Sequence, residues 1–403
     1  MQFSEIIKNH SELIFNSGTF NWYQMQQFGA IKNCRTRNLG GHWYYCEHCN
    51  ASHLLYNSCR NRHCPICQGE KRVKWVAKQC RNLLNIPYYH VVFTIPHELN
   101  NLFLNNPSVC YHAFFKAVWD TLKGFFASDK YLGGKGGMFC ILHTWGQEMV
   151  YHPHIHCIVP GAGITFNNEF KILRTRDKYL FHTQSMALVF RAKLMQRITE
   201  LEKLQLFTIA PIIRKLIFGK KWVVFCKRPF GNPKAFVEYI GRYSHRVAIS
   251  ENRIVDDSNG KISFTYKDYA NQSVIRTMQL SALDFFKRFA LHFLPRRFTK
   301  IRHYGLMSNA CRKQFIKAGE MVVGKADNTS SAAEQELEPD NTYGQIKKHC
   351  PVCKHKSMRK IFGFTAMQLL AGLIIINQAS GEVLYQSRDG PLTDGFVVYL
   401  FGN

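Results

Sequence analysis

Tyr151-His152-Pro153-His154-Ile155-His156-Cys157-Ile158-Val159-Pro160 reads as a buried strand. Its second half is rich in β-branched residues, which suit a pleated, half-buried surface. Side chains two apart on a strand point the same way, so His154 and His156 project from one face and Ile155 anchors the core behind them. Two imidazoles side by side on a rigid strand make half of a divalent-metal site. His-x-His alone is a weak signal that ordinary packing also explains. The rest of the chain gives it weight.

Met138 to Trp145 is a second strand, and Gly146 to His152 is a short link. Strands joined so closely pair antiparallel. A third metal ligand then comes from the hairpin. Gln147, at the loop end, is the first choice; Glu148 and His143 stay open because register is not fixed by sequence. Val91-Val92-Phe93-Thr94-Ile95-Pro96 is a short apolar strand ended by proline. Helices are expected over roughly 108–128 and 183–203, and a strand over Trp222–Cys226. Asn232 is a good N-cap and Pro233 fits the first helical position, so a helix runs on through Tyr243. Tyr239 and Tyr243 are four apart and share a face of it. Such pairs are commonly plain packing aromatics. Here Arg242, His245 and Arg246 crowd the same end with charge suited to phosphate.

The 14 cysteines cluster. Cys46-x-x-Cys49 and Cys64-x-x-Cys67 have the spacing of a zinc ribbon, in which each tight turn offers two thiolates to a tetrahedral Zn²⁺. Cys34, Cys59 and His63 leave enough ligands for a second zinc, with His42 or His53 as a fourth. Otherwise they are ordinary buried cysteine and surface histidine. Near the other end, Cys350-x-x-Cys353 is half a zinc site, to be finished by Cys311, His349 or His355. Residues 1 to about 30 look helical and amphipathic, with Ile6, Ile7, Leu13, Ile14 and Phe15 on one side, fit to pack or to lie on DNA.

Lys and Arg number 53 against 27 Asp and Glu, a net charge of +26 in 403 residues. A one-sign field of that size points to a polyanion, nucleic acid before an anionic membrane. Arg60 and Arg62 flank the cysteines. Arg296, Arg297, Arg302, His303 and Tyr304 form a basic and aromatic cluster fit for a single strand, or else a solvated basic face. Length and cysteine pairing exclude a small secreted disulfide scaffold. Met1-Gln2-Phe3-Ser4-Glu5 lacks the basic start and apolar run of a secretory leader. The apolar run near Phe362 to Ile376 is short for a bilayer span, so no membrane partner is expected. Residues 329–342 are polar and acidic and read as a linker.

Seven stretches together resemble the HUH endonucleases, and most closely the rolling-circle transposases of the insertion-sequence-91 family. They are Asn57-Ser58-Cys59-Arg60-Asn61-Arg62-His63-Cys64-Pro65-Ile66-Cys67, His90-Val91-Val92-Phe93-Thr94-Ile95-Pro96-His97, His143-Thr144-Trp145-Gly146-Gln147, His152-Pro153-His154-Ile155-His156, Tyr239-Ile240-Gly241-Arg242-Tyr243, Leu294-Pro295-Arg296-Arg297-Phe298 and Ile301-Arg302-His303-Tyr304-Gly305. The resemblance runs from about Cys34 to Met358 and implies an α+β fold, with a central antiparallel sheet flanked by helices. It also implies an N-terminal zinc-binding domain and a helical C-terminal region. The expected segments are 1–85 for zinc and DNA contact, 86–255 for the nuclease, 256–345 for a basic region and linker, and 346–403 for a knuckle and tail.

The same resemblance implies Tyr239 and Tyr243 as nucleophiles and Mg²⁺ or Mn²⁺ at His154, His156 and Gln147. Zn²⁺ would sit at one or two N-terminal sites, with a further half-site at the C-terminal knuckle. The reaction would leave a 5′-phosphotyrosine and a free 3′-hydroxyl, with His245 as candidate base. The substrate would be single-stranded or hairpin DNA at element ends, joined to target DNA in a bacterial cytoplasm, at the nucleoid. The competing readings are a plasmid rolling-circle initiator or relaxase, and a non-catalytic zinc-finger DNA binder.

Overall fold

The His-x-His strand runs from Tyr151 to Pro160 and lies in the middle of the central sheet. The structure is a computed structural model. It describes residues 2–80, 83–173, 180–227, 241, 247–269, 271–324 and 349–367, together with short strands at Ile374–Ile376 and Val383–Tyr385. Among these residues the sheet has five strands, in the order Ile301–Gly305, Gly137–Trp145, Tyr151–Pro160, Tyr88–Thr94, Val224–Lys227. Every neighbouring pair is antiparallel. The expected hairpin is there, with His143 opposite His154 and Ile141 opposite His156. The edge strand Ile301–Gly305, within a stretch read as a basic cluster, pairs along Gly137–Ile141.

Period-two alternation gives this sheet two different faces. Val91, Phe93, Cys140, Leu142, Ile155, Cys157 and Val159 point to one side and join the largest core. Helices Pro107–Ala127 and Thr183–Lys203 seal that side. The first begins on a proline at its first turn, where the missing N–H is not needed. Its Tyr111, Phe114, Phe115, Val118 and Leu122 recur at three- and four-residue spacing and are buried. Phe190 of the second meets Phe93 at 5.1 Å and Phe114 at 5.7 Å between ring centroids. The opposite face carries the histidines. At one end it is covered by a smaller core of Phe139, Ile141, Ile158 and Val76, the last on helix Pro65–Cys80.

The amphipathic start is three helices, Phe3–Asn9, Ser11–Phe15 and Trp22–Lys32, and it packs on protein. Phe3, Ile6, Ile7 and Phe28 share a core with Phe285, Phe286 and Phe289 of helix Ala282–Ala290. The cores therefore cut across the chain segments. That C-terminal part has helices Ala282–Ala290 and Arg312–Val323 and also a three-stranded meander, Ile254–Ser258, Lys261–Asp268 and Val274–Ser281. The sequence does not announce the meander, because its last strand is exposed on most positions and shows little alternation. Strands Gly41–Cys46 and Ser52–Tyr56 form a ribbon whose outer strand, Met358–Phe364, comes from the far end of the described chain.

Candidate functional site

The hairpin brings three imidazoles to one point. His143, His154 and His156 each offer a ring nitrogen, and these lie within 4.8 Å of one another. Opposite ligands of a divalent ion at about 2.1 Å stand about 4.2 Å apart, so the trio is near coordination spacing. Ring centroids are 4.5 Å apart for His143 and His156 and 4.8 Å for His154 and His156. Burial pushes His154 down to about 4 and His156 well below the ordinary histidine range. Both rings are thus neutral at pH 7 and keep a lone pair for a cation.

Partners fix which nitrogen faces the site. Nδ1–H of His154 donates to the carbonyl of His152 at 2.7 Å, which leaves Nε2 as the donor to a metal. Nδ1 of His156 pairs with Nε2 of His90 at 2.8 Å. With His156 ligating through Nε2, its Nδ1–H donates to His90. The sequence reading missed His90. Its signal is period two, since His90, Val92 and Thr94 share a face, and the register sets Val92 beside His156.

Gln147 stands at the loop end of the hairpin and on the wall of the same groove as the trio. Its side-chain amide donates to the Tyr269 hydroxyl at 3.2 Å, and its carbonyl accepts from Arg253. The register irregularity between His143 and Trp145 ends regular pairing before Gln147, so His143 occupies the place beside His154. The link itself is pinned. Arg288 Nη1 donates to Glu148 O at 3.0 Å, and Met149 is buried at positive φ (56°). The trio lines a groove of about 770 Å³ whose far wall includes Lys267 and Tyr269 of the meander and Arg253 before it.

The cysteines sort differently from their spacing. Among the described residues, Cys34, Cys59, Cys64 and Cys67 form one group and Cys46, Cys49, Cys350 and Cys353 another. The pairing of Cys46 and Cys49 with Cys64 and Cys67 is thereby corrected, and neither Cys311 nor a histidine completes the Cys350 pair. Spacing shapes each half-site but does not choose its partner. A Zn–S bond of about 2.3 Å gives a tetrahedral edge of about 3.8 Å. In the first group Cys34–Cys67 and Cys59–Cys67 are 3.6 Å apart and Cys34–Cys64 is 3.7 Å. Such spacing suits zinc. His63 is excluded from the group; it is buried and packs against Phe293 at 4.8 Å.

Several expected DNA contacts are occupied by the fold. Arg62 Nη1 donates to Phe298 O at 2.5 Å. Arg302 lies 4.2 Å over Phe115, and Tyr304 stacks on Trp119 at 5.6 Å, both on the helix-covered side. His303 points to the histidine side beside Phe139. Arg60 sits at positive φ (53°) in the first cysteine group, and its carbonyl accepts from Lys71. Arg296 and Arg297 are exposed, Arg296 over Trp22 at 5.1 Å. Tyr239, Arg242, Tyr243, His245 and Arg246 lie outside the described residues.

Comparison with known proteins defines the class: a transposase with its own zinc-binding domain. Residues 6–95 match the family described as "Transposase zinc-binding domain", and residues 137–314 the family described as "Putative transposase". A relative from Sinorhizobium fredii, "Putative transposase y4qJ", is 34% identical over 83% of this chain and 88% of its own. The transposase for insertion sequence element IS801 of Pseudomonas savastanoi pv. phaseolicola is 30% identical over 70% of each. The chain belongs to the insertion-sequence-91 family of transposases. Two solved chains of the conjugative relaxase TrwC with oriT DNA also match, at 14% and 12% identity. They cover 28% and 62% of this chain and 42% and 68% of their own, with TM-scores of 0.22 and 0.24. No helix among the described residues is long and apolar enough to cross a membrane.

Proposed function

We propose that this transposase nicks and rejoins single-stranded DNA at the ends of an insertion sequence, through a 5′-phosphotyrosine on Tyr239 or Tyr243. The observation that carries the reading is the convergence of three imidazoles, two of them held neutral, on the wall of an open groove. A divalent cation held there supplies Lewis acidity at the scissile phosphate. Its ligands are His143, His154 and His156. An all-imidazole donor set ranks Mn²⁺ above Mg²⁺, which prefers carboxylate and water.

The chain's own groups do the rest. His90 and the His152 carbonyl keep the ligand nitrogens aimed. Exposed Lys267 offers charge to the DNA backbone, and exposed Tyr269 offers a ring for a base to stack on. A phenolic oxygen attacks phosphorus in line as its proton passes to a base, the P–O3′ bond breaks, and the leaving 3′-oxygen takes up a proton to become the free 3′-hydroxyl. Unperturbed phenols titrate near 10, so this attack needs that activation.

Gly241 supports the tyrosine assignment. It is helical and buried, and a β-carbon there would come within 2.3 Å of Val76 Cγ2. Val76 belongs to the core over Phe139, Ile141 and Ile158, the side of the sheet that bears the histidines. Gly241, midway between the two tyrosines in sequence, thus packs on that side. The test is a denaturant-resistant adduct with labelled single-stranded element ends in Mn²⁺. EDTA should prevent it and Y239F/Y243F should remove it. An adduct that survives both changes refutes the reading.

A further inference from the structure

We propose that a structural Zn²⁺ staples the two ends of the described chain together, held half by Cys46 and Cys49 and half by Cys350 and Cys353. The inference stands apart from the DNA chemistry above. The four thiols lie within 4.8 Å of one another, with Cys46–Cys353 at 3.6 Å and Cys49–Cys350 at 3.5 Å. Those contacts are tetrahedral-edge spacing for zinc, on about the 3.8 Å scale.

The two Cys-x-x-Cys turns are copies. The residue after each second cysteine, Asn50 or Lys354, sits at positive φ, 58° and 60°. Its N–H returns to the carbonyl of the first cysteine at 2.9 Å in both. Neither residue is glycine, and the left-handed conformation carries a steric cost, smaller for Asn50 than for Lys354. A shared metal offsets that cost in both turns at once. His48 and His355 stack between the turns at 4.2 Å and 7°. Nε2 of His53 lies 3.7 Å from Cys350 Sγ, placed to donate to that sulfur when it ligates zinc.

Backbone pairing extends the contact. Gly41–Cys46 pairs antiparallel with Met358–Phe364, and Glu47 N donates to Ser357 O at 3.1 Å. Gly40, at φ +65°, stands where a β-carbon would come within 2.2 Å of Phe364 O, so only glycine admits the incoming strand this closely. The zinc and the third ribbon strand therefore form one unit, and the late segment docks only while the metal is held.

Zinc in the purified full-length protein, measured by mass spectrometry, should be two per chain. C350S/C353S and C46S/C49S should each leave one. A protease site placed within residues 329–342 permits a second readout that leaves every cysteine intact. After cleavage, the C-terminal piece should co-elute with the body in zinc and separate on chelation. A wild-type content of one zinc would overturn the proposal. So would two zincs retained in C350S/C353S, or a cleaved piece that stays bound after complete metal removal.

Discussion

Ile155 and His156 are neighbours on one strand with opposite surroundings. Ile155 is fully buried under the helices that seal one side of the sheet. His156 looks into the groove with His143 and His154. One side of the sheet was spent on burial and the other on chemistry, and the pleat alone separates them. The lesson is that a metal site of this kind needs no loop to carry it. The apolar side makes the strands rigid, and that rigidity holds the imidazoles at ligand spacing.

That division can be broken at either side. The largest effect is expected from His156→Ala, which removes a ligand without touching the packed side. Adduct formation should drop by on the order of 10²–10⁴, with the unfolding midpoint nearly unchanged. Ile155→Ala should do the reverse. It should cost about 2–5 kcal/mol in denaturant unfolding, with the folded fraction still binding Mn²⁺ in calorimetry. If Ile155→Ala abolished metal binding in folded protein, the two sides would not be separable.

The remaining two effects sharpen the comparison. His292 is buried against the hairpin, with Nδ1 3.2 Å from Thr144 Oγ1 and Nε2 3.0 Å from Met149 O. Burial pushes it down to about 4. Between about 6.5 and 4 the unfolded chain takes up this proton and the folded chain does not. Stability is therefore whole above 6.5 and falls as pH drops through that window, by about 3 kcal/mol at most from this residue. Thermal melts of wild type and His292→Gln across pH 4–7 measure it, and equal slopes would remove the assignment. His90→Phe should weaken Mn²⁺ binding by about 10–100-fold, as loss of a ligand's supporting hydrogen bond does. Unchanged affinity in the titration would make His90 a packing residue.

Much of this was legible in the residues. The His-x-His strand, its hairpin partner and the helices over 107–127 and 183–203 follow from periods of two and about 3.6. The place of His143 beside His154 was not, because register and the irregularity after His143 set it, and neither leaves a residue signature there. The two cysteine groups were not, because Cys46 and Cys353 are 307 residues apart and no spacing rule spans such a gap. His90 stayed hidden because a hydrogen bond between strands depends on register.

The ribbon's third strand arrives late in synthesis. Until residues 350–364 leave the ribosome, Gly41–Cys46 has one neighbour and Cys46 and Cys49 lack their partner thiols. A product cut short by a frameshift or stop codon would carry every histidine of the groove and still present an unfinished N-terminal domain. Completion of the ribbon thus reports that translation has passed residue 364.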